Sequence, residues 1–290
     1  MRLRWWMIAV VAALFLWQQA SAQTVSSPQA FVFIPLAAND FNFSQAGYEG
    51  YQKLSREGYR IGYRDHADKL SPSEILDTID RKYADGVTAF IMAGAEFSDV
   101  TMEAARIYPR AYFATLGGNA RGGNIINYCL DCLSLSGEIA GKVALESSTS
   151  RIIGYVGGVA AVDGPEAEKF KAMILAGDPK AQVLIGWTEN WADLAGAAKL
   201  TEQQIGKGAD VIYATANTGV ISAADKHPAV KIIGALVDVS PLSKNVVASV
   251  VLNTDVIYRH FLQSVEFGRF KGGVHTLTSG DGVWSVVQPK

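Results

Sequence analysis

Apolar runs of strand length alternate with helical patterns almost to the end of the chain. The runs are "AFVFIPL", "YRIGYRD", "VTAFIMAG", "AYFATLG", "NIINYC", "RIIGYVGG", "AQVLIGW", "DVIYATA", "VKIIGALVD" and "VASVVLN". Most are nearly continuous in hydrophobicity, as strands covered on both faces of a parallel sheet must be. Between them the pattern predicts helices over Ser44–Glu57, Ser73–Ala84, Asp99–Tyr108, Leu135–Glu146, Pro165–Leu175, Leu194–Lys207 and Asp255–Phe267. Gly or Pro marks most junctions, as in "ADGV", "YPRAY" and "KGADV". Such alternation means βαβ units. Residues 28–128 already contain β-α-β-α-β-α-β, and the strand beginning at Arg151 restarts the pattern. The expected fold is therefore α/β, with two similar Rossmann-like lobes and a ligand cleft between them. Ligands in open α/β sheets bind beyond the C-terminal ends of strands. "AANDFNFSQ", "GGNARGG", "WTENWAD", "ATANTG" and "VDVSP" fall at such ends.

The first residues break this pattern. Arg2 and Arg4 precede an apolar stretch from Met7 to Trp17, and Ala20-Ser21-Ala22 offers small residues for cleavage. This is the layout of a secretory signal peptide over residues 1–22. The stretch is short of the ~20 residues of a membrane span. No Cys stands at the cleavage position for lipid attachment. A soluble protein exported to a periplasm is expected. The remaining chain exceeds the ~100–150 residues of one typical domain. A formal charge of −2, without a basic block, argues against nucleic acid as a partner.

Catalytic signatures do not stand out. There is no Gly-x-Ser-x-Gly, no Walker A loop and no His-Glu-x-x-His. "GYVGGVAAVDG" lacks dinucleotide-loop spacing, and tight turning between strand and helix accounts for it. The His residues are scattered, and neither an enzyme, a cofactor nor a metal site is expected. Cys129 and Cys132 leave several readings open: a local disulfide favoured by export, free buried thiols, or a metal or redox pair. Among aromatics, Phe41 and Phe43 lie in the first loop, and Trp187 and Trp191 in "GWTENWAD". One from each lobe clamping a flat ligand, or all four capping the two cores, are equally compatible with the pattern.

Several blocks, taken in order, resemble the basic membrane protein (BMP) family of ABC-transporter substrate-binding proteins, of the purine-nucleoside-binding type. They are "NDFNFSQAGYEG", "ARIYPRAYFATLGG", "GEIAGKVA", "RIIGYVGG", "GWTENWAD", "KGADVIYATANTG" and "GRFKGG". The resemblance implies a type I periplasmic-binding fold with crossings near Tyr128–Leu133, Val250–Thr254 and Lys271–His275. One lobe would take 28–128 plus 254–272, and the other 129–253 plus 273–290. It also implies that Phe43 and Trp191 stack on a base whose edge Asp40 and Ser44 hold. Asn217, Asp238, Trp187 and Glu189 are further candidate ligand contacts.

The family's ribose-gripping residues do not carry over. The expected Asp after "YFATL" is Gly117, the first expected Asp in "IGALVDV" is Leu236, and the expected Lys is Val251. A buried hydroxyl without a partner costs about 1–3 kcal/mol. Two of them would cost roughly a hundredfold in affinity. The expected function is thus a periplasmic substrate-binding protein of an ABC importer that captures a purine-like nucleobase or related flat heterocycle. Its partners would be that small molecule and an inner-membrane permease, and a monomer is expected. The alternatives are a nucleoside binder and a ligand sensor that signals to a membrane receptor.

Overall fold

The computed structural model describes residues 27–289, with 131, 133 and 217 excepted; the expected signal peptide lies outside the described residues. The apolar runs become parallel strands in two sheets. The first contains β1 (Ala30–Phe33), β2 (Ile61–Arg64), β3 (Ala89–Met92), β4 (Tyr112–Leu116), β5 (Ile125–Cys129) and β11 (Gly273–Thr276). The second contains β6 (Ile152–Gly157), β7 (Gln182–Trp187), β8 (Val211–Ala214), β9 (Lys231–Leu236), β10 (Val246–Leu252) and β12 (Trp284–Val287). Their orders, β11-β5-β4-β3-β1-β2 and β12-β10-β9-β8-β6-β7, repeat one topology. β1 and β3 are buried along their whole length, which is why no polar alternation shows there.

The helices are α1 (Phe43–Arg56), α2 (Pro72–Ala84), α3 (Ser98–Ile107), α4 (Leu135–Ser147), α5 (Ala160–Gly177), α6 (Leu194–Gly206), α7 (Thr218–Ala224) and α8 (Thr254–Glu266). Local chemistry fixes the ends. Ser71 and Glu74 close a reciprocal capping box at the start of α2, with Pro72 in its first turn. α5 starts earlier than the expected Pro165, which lies inside the helix. That shift brings Asp163 onto the helix with Glu166.

α8 returns to the first lobe against α1. The Thr254 hydroxyl donates to the Ala46 carbonyl at 2.5 Å. A Cβ at Gly50 would meet Thr254 Oγ1 at 2.2 Å, so the approach needs glycine. One expectation is corrected. Gly273–Thr276 does not belong with the second lobe, because it pairs with β5 and covers that strand's edge in the first sheet. The third crossing falls between β11 and β12, the latter running antiparallel to β10. The segment "GVHT" carries little apolar character, so nothing in its pattern marked it as a strand.

The open readings for the cysteines also resolve. Cys129 and Cys132 form a disulfide with Cα atoms 5.6 Å apart, where the chain leaves β5. Beside it, His260 and His275, distant in sequence, converge on Tyr128. Tyr128 Oη and His260 Nδ1 lie 2.6 Å apart, and the two imidazole centroids are 5.6 Å apart. Burial raises the Tyr128 pKa and lowers that of His260, the latter helped by His275.

Candidate ligand-binding cleft

The C-terminal ends of both parallel sheets open on one cleft of about 560 Å³, within the range of small-molecule sites. Its first-lobe wall comes from the loops after β1, β3, β4 and β5. Its second-lobe wall comes from α5, from the segments after β7, β8 and β9, and from Trp284 of β12. These loops flank the switch points β1/β3 and β6/β8, where neighbouring connections diverge and leave a crevice. Of the expected residues, Asp40, Phe43, Ser44, Gly117 and Trp191 line it.

The first loop is shaped by its own polar groups. The Asp40 carboxylate accepts from the backbone amides of Asn42 (2.8 Å), Ser44 (3.3 Å) and Gln45 (2.9 Å). Gln45 Oε1 accepts from the Phe41 amide at 3.2 Å, and Ser44 Oγ from the Leu36 amide at 3.0 Å. The orphan donors at the start of α1 are thereby satisfied. Phe41 sits at φ 54° and packs on the core; Phe43 opens the helix, packs on the same core and also lines the cleft. Asp40 and Ser44 therefore face the cleft with much of their hydrogen-bonding capacity already engaged.

The second lobe presents side chains instead. Trp191 is 40% exposed. Its Nε1–H donates to Asp163 Oδ2 at 3.1 Å, which also accepts from the Gly158 amide at 2.8 Å. A Cβ at Gly158 would come within 2.0 Å of Trp191 Cδ1, so the indole lies directly against glycine backbone. Gly157 makes the same room for Trp187, whose ring a Cβ would approach to 2.3 Å. The paired glycines, assigned from the sequence to tight turning alone, are platforms for two tryptophans.

Several expected contacts lie elsewhere. Trp187 ends β7 with its ring edge-on to Tyr155 at 5.5 Å, on the core side of the sheet. Glu189 occupies a left-handed turn at φ 55° and is exposed away from the lining. Asp238 folds back to accept from the Ser240 amide at 2.9 Å and the Ser249 hydroxyl at 3.4 Å. The bend that redirects it begins at Leu236 (φ 68°), whose own side chain lines the cleft. Asn217 lies outside the described residues.

The sequence reading missed Glu96, Asp163 and Glu166, which also line the cleft. Glu166 accepts from the Tyr155 hydroxyl at 2.8 Å and the Tyr213 hydroxyl at 3.0 Å. Burial raises its pKa, although hydrogen bonds from Ser136 and both tyrosines oppose the shift. Glu96 follows β3, its carboxylate over Gly94, where a Cβ would meet Oε2 at 2.4 Å. Desolvation raises the Glu96 pKa too, a backbone hydrogen bond opposes it, and the Asp68 charge adds to it. The i, i+3 spacing of Asp163 and Glu166 was the available signal. It was lost by starting the helix at Pro165.

Two like α/β lobes facing one another across a side-chain-lined cleft define a two-lobed small-ligand receptor of the type I periplasmic-binding fold. The chain belongs to the Bmp family, described as ABC transporter substrate-binding protein PnrA-like, whose model matches residues 28–287. It is 25% identical over 260 residues to the transcriptional activator protein Med of Bacillus subtilis (strain 168), covering 87% of this chain and 79% of that one. It is 23% identical over 262 residues to the ABC transporter nucleoside-binding protein BmpA of Lactococcus lactis subsp. cremoris (strain MG1363), covering 81% and 74%. The fold is shared with many solved structures, two of which show how closely. One is a transcriptional activator of the comK gene from Bacillus halodurans (TM-score 0.77, 19% identity, 89% of each chain). The other is an ABC transporter solute-binding protein from Conexibacter woesei DSM 14684 (TM-score 0.75, 20% identity, 90% and 88%).

Proposed function

We propose that this substrate-binding protein captures a purine-like nucleobase, or a related flat heterocycle, between Phe43 and Trp191 as its lobes close. The observation that carries this reading is the shared cleft, which an aromatic from each lobe lines and where Gly117 and Leu236 occupy the wall in place of polar side chains. Each base–aromatic contact contributes about 1–3 kcal/mol if nucleic-acid stacking is a guide. Gly117 stands at φ 79°, a conformation costly for Asp, and Leu236 offers only hydrocarbon. Both stand where the family resemblance implies ribose ligands. The exposed apolar side chains Leu36, Val162, Trp191 and Leu194 all line the cleft, so closure over a ligand would remove them from water. In this reading the protein acts outside the cytoplasm, released by its leader, and hands its ligand to an inner-membrane permease. Among the described residues no helix is long and apolar enough to cross a membrane.

The test is calorimetry of ligand-free protein against matched base and nucleoside pairs, with the base expected to bind at least tenfold tighter. A nucleoside that binds tighter than its base overturns the base assignment in favour of a nucleoside, which the name of the Lactococcus relative favours. The relatives named transcriptional activators favour a second reading, in which the liganded protein signals rather than delivers cargo. Loss of ligand uptake on gene deletion, with no change in ligand-dependent transcription, decides for transport.

A further inference from the structure

Stacking does not explain the charge pattern of the cleft. Asp40, Glu96, Asp163 and Glu166 line it, and none of the described lining residues is Lys, Arg or His. Asp40 and Asp163 have work within the protein, capping α1 and holding Trp191 and the Gly158 amide. Glu96 and Glu166 differ. Among the described residues neither forms an ion pair, and no cation is among the groups acting on either carboxyl. In the open cleft Glu96 is exposed, and Glu166 is half-buried with only hydroxyl donors such as those of Tyr155 and Tyr213. Closure of the lobes is what would withdraw them from water, and a carboxylate so withdrawn without a cation is costly. Elsewhere the chain meets that cost locally. Asp255, its side chain 7% exposed, has Lys53 at 2.8 Å and Arg259 at 3.2 Å.

We infer that the missing positive partner arrives with the ligand: the cleft selects flat heterocycles that carry a positive charge, held between Glu96 of one lobe and Glu166 of the other, and it rejects anionic ones. The inference rests on the stacking site proposed above. The aromatic walls favour the same sign of charge, because the faces of Phe43 and Trp191 attract cations. Exclusion of water on closure strengthens each attraction and each repulsion. Nucleotides and other phosphorylated or carboxylated ligands have no counter-charge in this lining.

A matched trio on one ring tests it: 1-methylnicotinamide (cationic), nicotinamide (neutral) and nicotinate (anionic), measured by calorimetry on the full mature protein, with adenine alongside. The cation is expected to bind at least tenfold tighter than the neutral parent, and the anion at least tenfold more weakly. In Glu96→Gln, and separately in Glu166→Gln, the cation-to-neutral affinity ratio should fall about tenfold. Glu96→Gln keeps the test open if loss of the Tyr155 and Tyr213 contacts unfolds Glu166→Gln. An anion that binds as well as the neutral ring overturns the inference, as does a ratio unchanged in Glu96→Gln. Failure of the cation to bind while adenine binds overturns this inference and leaves the stacking site standing. Failure of all four overturns both.

Discussion

The two lobes build their halves of the cleft by different means. In the first, the polar residues of "NDFNFSQ" turn inward. The Asp40 carboxylate accepts backbone amides of Asn42, Ser44 and Gln45, and Ser44 accepts that of Leu36. The loop is a scaffold that presents one aromatic, Phe43, at the tip of α1. In the second, a glycine backbone supports Trp191, and side chains of α5 reach the cleft directly. The same topology thus yields one wall fixed by main-chain hydrogen bonds and one fixed by side-chain packing. Damage to the first wall should register as lost stability, and damage to the second as lost binding.

Trp191→Ala should show this contrast most strongly. The indole is half in solvent, so its loss should leave the melting temperature within about 2 °C. Removing a stacking plate should weaken the best-bound heterocycle by about 10–100-fold, corresponding to ~1–3 kcal/mol. Calorimetry beside thermal melts checks it, and a variant that melts much lower but binds normally would place Trp191 with the core. Gly158→Ala comes next. Its Cβ would lie 2.0 Å from Trp191 Cδ1, so the ring must swing away and give up its bond to Asp163. A loss of about tenfold in affinity is expected, with folding little changed, read by the same titration and by Trp fluorescence.

How much of this was legible in the sequence follows from the range of the forces. All ten expected strands formed; the central ones, such as β1 and β3, announce themselves because a strand buried on both faces must be apolar along its length. β11 and β12 did not, since "GVHT" and "WSVV" are short segments at sheet edges whose pairing is decided by a distant partner. Helix α7 (Thr218–Ala224) was missed for want of length: seven residues are too few to show a helical period. At the site, loop motifs placed Asp40, Phe43, Ser44, Gly117 and Trp191 at the cleft. They failed for Trp187, Glu189 and Asp238, where pleat alternation or a single left-handed residue turned the side chain elsewhere. For Glu166 the sequence offered only its helical spacing from Asp163; its setting among tyrosine hydroxyls is assembled from three separate elements and left no local trace.

Asp40 tests the scaffold half of the comparison. Asp40→Ala leaves amides at the start of α1 without an acceptor, at a typical cost of ~1–2 kcal/mol for a lost cap. A fall of roughly 2–4 °C per kcal/mol is expected for a chain of this size. Asp40→Asn keeps a capping oxygen and should recover most of it. If the Asn variant restores the melting temperature and also the affinity, Asp40 acts through the loop. If it restores stability but not binding, its charge reaches the ligand as well.

The smallest effect sits in the second lobe, at Glu166. Burial raises its pKa in the folded protein above the unfolded value, so the folded state takes up the proton more readily. Such a group contributes stability that is fully present below the unfolded pKa, roughly 4.3 for Glu, and is lost as pH rises through the folded value. Glutamine cannot titrate. The melting temperature of the ligand-free wild type, minus that of Glu166→Gln, should therefore increase as pH falls from about 8 towards about 5. Groups outside this site shift both proteins alike and cancel in the difference. A difference that stays flat would mean that the tyrosine hydroxyls hold Glu166 ionised as easily as water does. A difference that shrinks on acidification would reverse the sign of the burial effect. The expected slope would mark the second lobe as the one that gives up stability at neutral pH to keep a carboxylate facing the ligand.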